Sequence, residues 1–192
     1  MGFIRNLLAL LGLAVVLACI YLYTHYGDTL KAFDPGAGQT YLQLARDVLE
    51  KGNAVEATVW KVPLEEGVSA EDAELAMKTV ANELNISNVG ELPLSKDVEA
   101  KSGHPYRFVK IFMFCNSLTA AQMMDYSDAY SAYLPCRVTL LEDKTGKFWI
   151  YSLNMDLMIH GGRPLPPALK AEALKVKGII QQIMKRGAAG DF

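Results

Sequence analysis

One stretch constrains this chain more than any other. From Leu7 to Tyr23 it reads LLALLGLAVVLACIYLY, 17 residues without a charge and with only Gly12 outside the apolar set. With Phe3 and Ile4 before it and Thr24 to Tyr26 after it, the run is long enough for a helix to cross a hydrocarbon core of about 30 Å. Phe3, Tyr21, Tyr23 and Tyr26 fall where interfacial aromatic belts lie. Three readings compete. A single-pass anchor is favoured by the length of the run. A cleaved signal peptide lacks a small-x-small site before a polar stretch. A lipoprotein is suggested by Val16-Leu17-Ala18-Cys19, although the apolar run continues past Cys19. Arg5 and the amino terminus carry the only positive charges before the run. The short tail is therefore expected in the cytoplasm and the bulk of the chain across the membrane, which in a bacterium means a single-pass inner-membrane protein with a periplasmic domain.

The run also explains the composition. Apolar residues make up 51% of the 192-residue chain. Without the run the figure drops to about 47%, ordinary for a soluble domain. Nineteen basic residues against 21 acidic ones argue against an electrostatic nucleic-acid binder. Three cysteines exclude a disulfide scaffold and a multi-Cys zinc module. The organisation read from the chain is an anchor over 1–30, a hinge and stalk helix over 31–52, a domain over 53–160, and a Pro-rich turn with a C-terminal helix over 161–192.

Within this frame the pattern alternates between strand and helix signals. Gln39 to Lys51 predicts a helix with Leu42, Ala45 and Leu49 on one side, ended by Gly52. It either extends the anchor as a stalk or docks on the domain. Val55 to Val62 predicts a strand. Ser69 with Asp72 forms a near capping box before a helix bearing Ala73, Met77, Val80, Ala81 and Leu84 on one face. The Pro-containing stretch 85–103 reads as a loop with a short strand at Gly90 to Leu94. Tyr106 to Phe114 predicts an interior strand, apolar on both faces, and Leu118 to Ala129 a helix. Cys136 to Glu142 and Lys147 to Leu153 predict a hairpin turning at Gly146. Leu169, Ala173, Val176, Ile180 and Ile183 give the last helix a narrow apolar seam. The order predicts an α+β fold: a small, mostly antiparallel sheet with helices on one face, preceded by one transmembrane helix.

Chemistry-bearing residues are few. Cys115 ends a strand just before a helix start, where the helix terminus favours thiolate, and Cys136 opens the next strand. Neighbouring strand ends would bring the thiols together as a disulfide, a soft-metal pair or a reactive pair; small buried fillers are the plain alternative. Lys110, between Phe108 and Phe112 on one strand face, either neutralises an anionic ligand, sits at a lowered pKa, or snorkels outward. Met155, Met158 and His160 form a set suited to copper or haem iron, with core packing as the competing reading for the methionines. No dinucleotide fingerprint, Walker loop, nucleophile elbow or HExxH occurs.

Phe114-Cys115-Asn116, a short helix, Tyr133-Leu134-Pro135-Cys136-Arg137-Val138, then an acidic turn with Gly146 and an aromatic strand resemble the DUF302 family, over roughly Val55 to Met158. The chain has Ser117 where the family pattern has Pro. The resemblance implies a small α+β domain that dimerises, and it draws attention to Cys115, Asn116, Pro135, Cys136 and Arg137 without assigning an activity.

The reading that follows is a membrane-tethered periplasmic binding or accessory module for a small ligand, a haem or metal, or a partner protein. Lys110, Asn116 and Arg137 would serve as ligand-binding groups, and His160, Met155 and Met158 as metal ligands. Two alternatives stand beside it: a thiol-dependent redox enzyme using Cys115 and Cys136, and a structural subunit of a membrane protein complex joined through the anchor and the last helix. A homodimer is expected; a nucleic-acid partner is not.

Overall fold

A computed structural model describes residues 2–191. Helix α1 spans Gly2–Lys31. At a rise of about 1.5 Å per residue it is long enough to cross a bilayer, and its apolar stretch is exposed throughout. The next segment turns at Asp34-Pro35-Gly36 into α2 (Ala37–Lys51), which Gly52 ends in the left-handed conformation. The helix docks on the domain: Tyr41 donates a hydrogen bond to the Gly161 carbonyl. Leu42, Ala45 and Leu49 nevertheless face outward, so the predicted apolar side of this helix is solvent-facing.

Val55 to Val62 is not one strand. Asn53 accepts a hydrogen bond from the Val55 amide and starts the single helical turn α3 (Ala54–Ala57), and Thr58 bonds back to the Ala54 and Val55 carbonyls. These local side-chain bonds outcompete the β preference of the valines. Strand β1 is Val59–Pro63. Its Pro63 is tolerated because β1 lies at a sheet edge.

Helix α4 (Ala70–Glu83) begins with the expected Ser69–Asp72 capping box. Strand β2 (Ser87–Leu92) starts earlier than expected, and its register shifts between Asn88 and Gly90. The remainder of the predicted loop contains α5 (Leu94–Ser102). Strand β3 (Val109–Cys115) is followed by α6 (Ser117–Tyr126), which stops at Ser127 and gives way to a 3-10 helix over Asp128–Tyr133. A cis Leu134–Pro135 bond leads into β4 (Cys136–Glu142), and Gly146 adopts positive φ in the turn to β5 (Phe148–Leu153). The short α7 (Asp156–His160) and the long α8 (Pro167–Ala189) complete the chain.

The five strands form one antiparallel sheet in the order β1-β5-β4-β3-β2. Side chains alternate across it. One face presents Phe112, Phe114, Val138, Leu140 and Ile150, all fully buried. Met77 and Val80 of α4 and Ile180, Ile183 and Met184 of α8 close over these residues. The other face leaves Ile111, Met113, Leu141, Trp149, Tyr151 and Leu153 half-buried. The fold is therefore the expected α+β sheet with helices on one side. The seam of α8, however, is occupied by the domain's own core: Leu169, Ala173, Ile180 and Ile183 are all buried.

Two features permit specific tests. A Cβ on Gly187 would lie 2.4 Å from Met77 Cγ and 3.2 Å from Ile150 Cδ1. Gly187→Ala should therefore destabilise the domain by about 1–3 kcal/mol through overpacking, read by chemical denaturation of the full chain in detergent; unchanged stability would refute this close α4–α8 approach. The second is Asp34, which is almost wholly buried just after α1. Burial disfavours its charge, but hydrogen bonds from Lys170, the Gly36 amide and His160 outweigh that cost and lower its pKa from 3.8 to about 2. A lowered folded-state pKa means that this joint contributes fully above the ordinary carboxylate range and weakens as pH falls from 3.8 toward 2. Thermal melts across that window should show a steeper loss for the native chain than for Asp34→Asn; parallel curves would contradict it.

Candidate functional site

The sheet-helix sandwich does not close completely at the end where β3 leaves and β4 enters. Phe114 pairs with Cys136 across the two strands. Both therefore face the helices, while Cys115 continues the strand toward Asn116. Beyond this pair stand α6, the 3-10 turn, α7 and the first half of α8. They enclose a cavity of about 30 Å³. Its walls include the thiols Cys115 and Cys136, the thioethers Met123, Met155 and Met158, and small side chains such as Ala120 and Ala173. Asn116, Thr119 and Tyr130 are the polar contributors, and none of the lining side chains is charged.

The polar groups are largely committed. The Asn116 side-chain oxygen accepts from the Leu118 and Thr119 amides at 3.2 and 3.1 Å, which caps α6. Tyr130 donates to the Met158 carbonyl at 3.0 Å and so ties the 3-10 turn to α7. What the pocket offers a guest is sulphur and hydrocarbon.

All three cysteines of the chain are free thiols in this structure. Burial pushes the Cys115 thiol upward, so the thiolate expected at the start of α6 is disfavoured; desolvation wins over the helix terminus. Burial raises Cys136 further, to about 11, with its neighbour Cys115 adding to the effect.

The other predicted residues separate. Lys110 lies five residues before Cys115, roughly 17 Å along an extended strand, and its ammonium is engaged. It contacts Glu74 at 2.6 Å and Glu91 at 2.8 Å, carboxylates that Lys78 shares. Burial alone would lower the Lys110 pKa, but the two carboxylates reverse this and raise it. The lysine is thus a structural cross-tie between α4 and β2, with Phe112 beneath its charge. Arg137 follows Cys136 in sequence, but strand alternation turns it to the opposite, exposed sheet face. Neither cation reaches the pocket.

His160 parts from the two methionines. Its Nδ1 lies 3.0 Å from the Asp34 carboxylate, on the joint that follows α1, whereas Met155 and Met158 line the cavity. Five residues of α7 thus supply two different sites. A haem does not fit the cavity: about 30 Å³ is one water molecule's share of liquid volume. Among the described residues, no group of three or more His, Cys, Asp or Glu side chains is placed to hold a metal. Met123 was not singled out by sequence, because its partners come from five other elements and no local spacing signals them.

The family model described as domain of unknown function DUF302 matches residues 60–187. The chain belongs to the DUF302 family. The match takes in most of α8, which the sequence resemblance over Val55 to Met158 had left outside, and this agrees with the burial of that helix in the core. A solved structure titled as the crystal structure of an uncharacterized conserved DUF302 protein from Bacillus stearothermophilus is similar, with 14% identity and a TM-score of 0.54. The similarity covers 67% of this chain and 97% of that one. At this identity it speaks for the fold alone, and the residues outside it leave room for α1 and α2. No curated protein matches the chain.

The burial of the two thiols has a measurable consequence. In the native full chain, alkylation of Cys136 by iodoacetamide at neutral pH should be much slower than that of an unfolded cysteine, and its rate should keep rising toward pH 11. Peptide mass spectrometry after timed labelling reads this directly. An inflection at or below the ordinary thiol value of about 8.5 would contradict the environment described.

Proposed function

We propose that this chain is a non-enzymatic binding module, held at a bacterial inner membrane by α1 with its domain in the periplasm. Its site is the cavity behind Phe114 and Cys136, and its guest is small and either apolar or soft. The observation that carries the reading is the lining itself: five sulphur-bearing side chains gathered from β3, β4, α6 and the α7 region, with no charged group among them. An anionic metabolite has no partner there, since Lys110 is paired elsewhere and Arg137 points away. Thiol chemistry is disfavoured by the raised pKa values of both cysteines.

The tether supports an accessory role. The Asp34 joint fastens the segment after α1 to His160 and Lys170, so a change in α7 on ligand binding would be felt at the membrane side. The half-buried sheet face carrying Trp149 and Tyr151 is the surface proposed for a second copy of the chain.

Native mass spectrometry of the full chain, extracted from membranes in mild detergent, tests the binding reading. The native chain should carry a small adduct. Val176→Phe, at the half-buried rim, and Ala120→Leu, inside the cavity, should each lose it while keeping their helical circular dichroism. A chain without any adduct, or an adduct retained in both folded variants, would overturn the reading.

A further inference from the structure

The composition of the cavity wall allows the guest to be narrowed further. Cys115, Cys136, Met123, Met155 and Met158 all line a space of about 30 Å³. Thiolate and thioether sulphurs select Cu(I) among the common biological cations. Hard divalent ions require oxygen ligands, and the wall contains no carboxylate. A tetrahedral zinc site draws on thiolate, imidazole and carboxylate, of which only thiols are present.

The placement of the sulphurs is built rather than incidental. Cys136 shares the helix-facing side of the sheet with Phe114 through the β3–β4 register. Met123 and Met155 are buried, whereas Met158 and Cys115 are half-buried and give access from one side. Met155 and Met158 are three residues apart around the start of α7 and turn the same way, and the Tyr130 hydrogen bond to Met158 holds that segment in place.

We propose that this cavity is a Cu(I) site in which Cys136 is the thiolate ligand, the thioethers of Met123, Met155 and Met158 supply neutral donors, and Cys115 stands at the rim. The assignment rests on the reading of the cavity as the binding site. Its charge balance follows from the wall. Cu(I) adds to the Cys136 sulphur as the S–H bond breaks, an S–Cu bond forms and the proton leaves to solvent; copper keeps its oxidation state. One monovalent cation with one thiolate is neutral, as an uncharged pocket demands, whereas a second thiolate would leave an unpaired negative charge there.

The test uses the full chain in detergent with methyl-labelled methionine, titrated anaerobically with Cu(I) against bicinchoninate as competitor. Expected are one equivalent bound and shifts confined to the Met123, Met155 and Met158 methyls among the eight methionines of the chain. Cys19→Ser, within the anchor, should change nothing. Cys136→Ser should weaken binding by roughly a hundredfold, and the near-isosteric Met158→Leu, at the half-buried edge, by roughly tenfold, in the range seen when metal sites lose supporting groups. Should Cys136→Ser not fold, Met158→Leu decides. Shifts elsewhere, or affinity unchanged in these variants, would overturn the assignment. Failure of Cu(I) to bind while the native adduct persists removes copper but leaves the binding site standing. Failure of both removes both.

Discussion

The contact on which the rest of this structure depends is the closure of one sheet face by two helices. Phe112, Phe114, Val138, Leu140 and Ile150 are sealed from water by Met77 and Val80 of α4 and by Ile180, Ile183 and Met184 of α8. Each large side chain buried in this way is worth roughly 1.5–3 kcal/mol, and Gly187 allows the two helices to approach closely enough to share the work. Covering runs out beyond Phe114 and Cys136. There the lining mixes small and flexible residues, Ala120, Ala173 and three methionines, with Leu134, Val176 and Tyr130. A close-packed interior with its bulk removed at one end leaves a cavity. The pocket is therefore the unfilled margin of the core.

The same margin connects to the segment that follows α1. Helix α7 has only five residues, yet it serves three contacts. Met155 and Met158, at and just within it, face the pocket; Asp156 pairs with Lys177 of α8; His160 meets Asp34. Asp34 also holds Lys170 and caps the turn at Gly36, and its amide donates to the Gly162 carbonyl. A guest that moved α7 would thus act on the joint between the domain and α1 through residues already in contact.

Most of the fold was legible in the sequence because most of it is local. The capping box at Ser69, the αL glycines and the alternation along β3, β4 and β5 are short-range signals, and they placed α4, α8 and the hairpin correctly. One error came where side chains bonded their own backbone, as Asn53 and Thr58 turned the start of a valine-rich run into α3; another came at Ser127, whose extended backbone ends α6 and splits the predicted helix in two. The site was half legible. Cys115, Cys136, Met155 and Met158 were candidates by type, and the structure brings all four to one cavity. Lys110, Arg137 and His160 were equally plausible by type, but a partner on another element or the pleat of a strand carried each away. Pairing across the fold leaves no trace in local spacing, which is also why Met123 and Asp34 passed unnoticed.

The central claim is that the margin of the core behind Phe114 and Cys136 is an accessible, apolar binding cavity. The most direct measurement is a crystal structure of the domain-bearing chain under xenon pressure, because xenon enters empty apolar cavities without needing a polar partner. The account predicts one ordered xenon atom between Cys136, Met155, Met158 and Ala173. Density for these side chains closed together, with xenon absent there and bound only along α1, would contradict it.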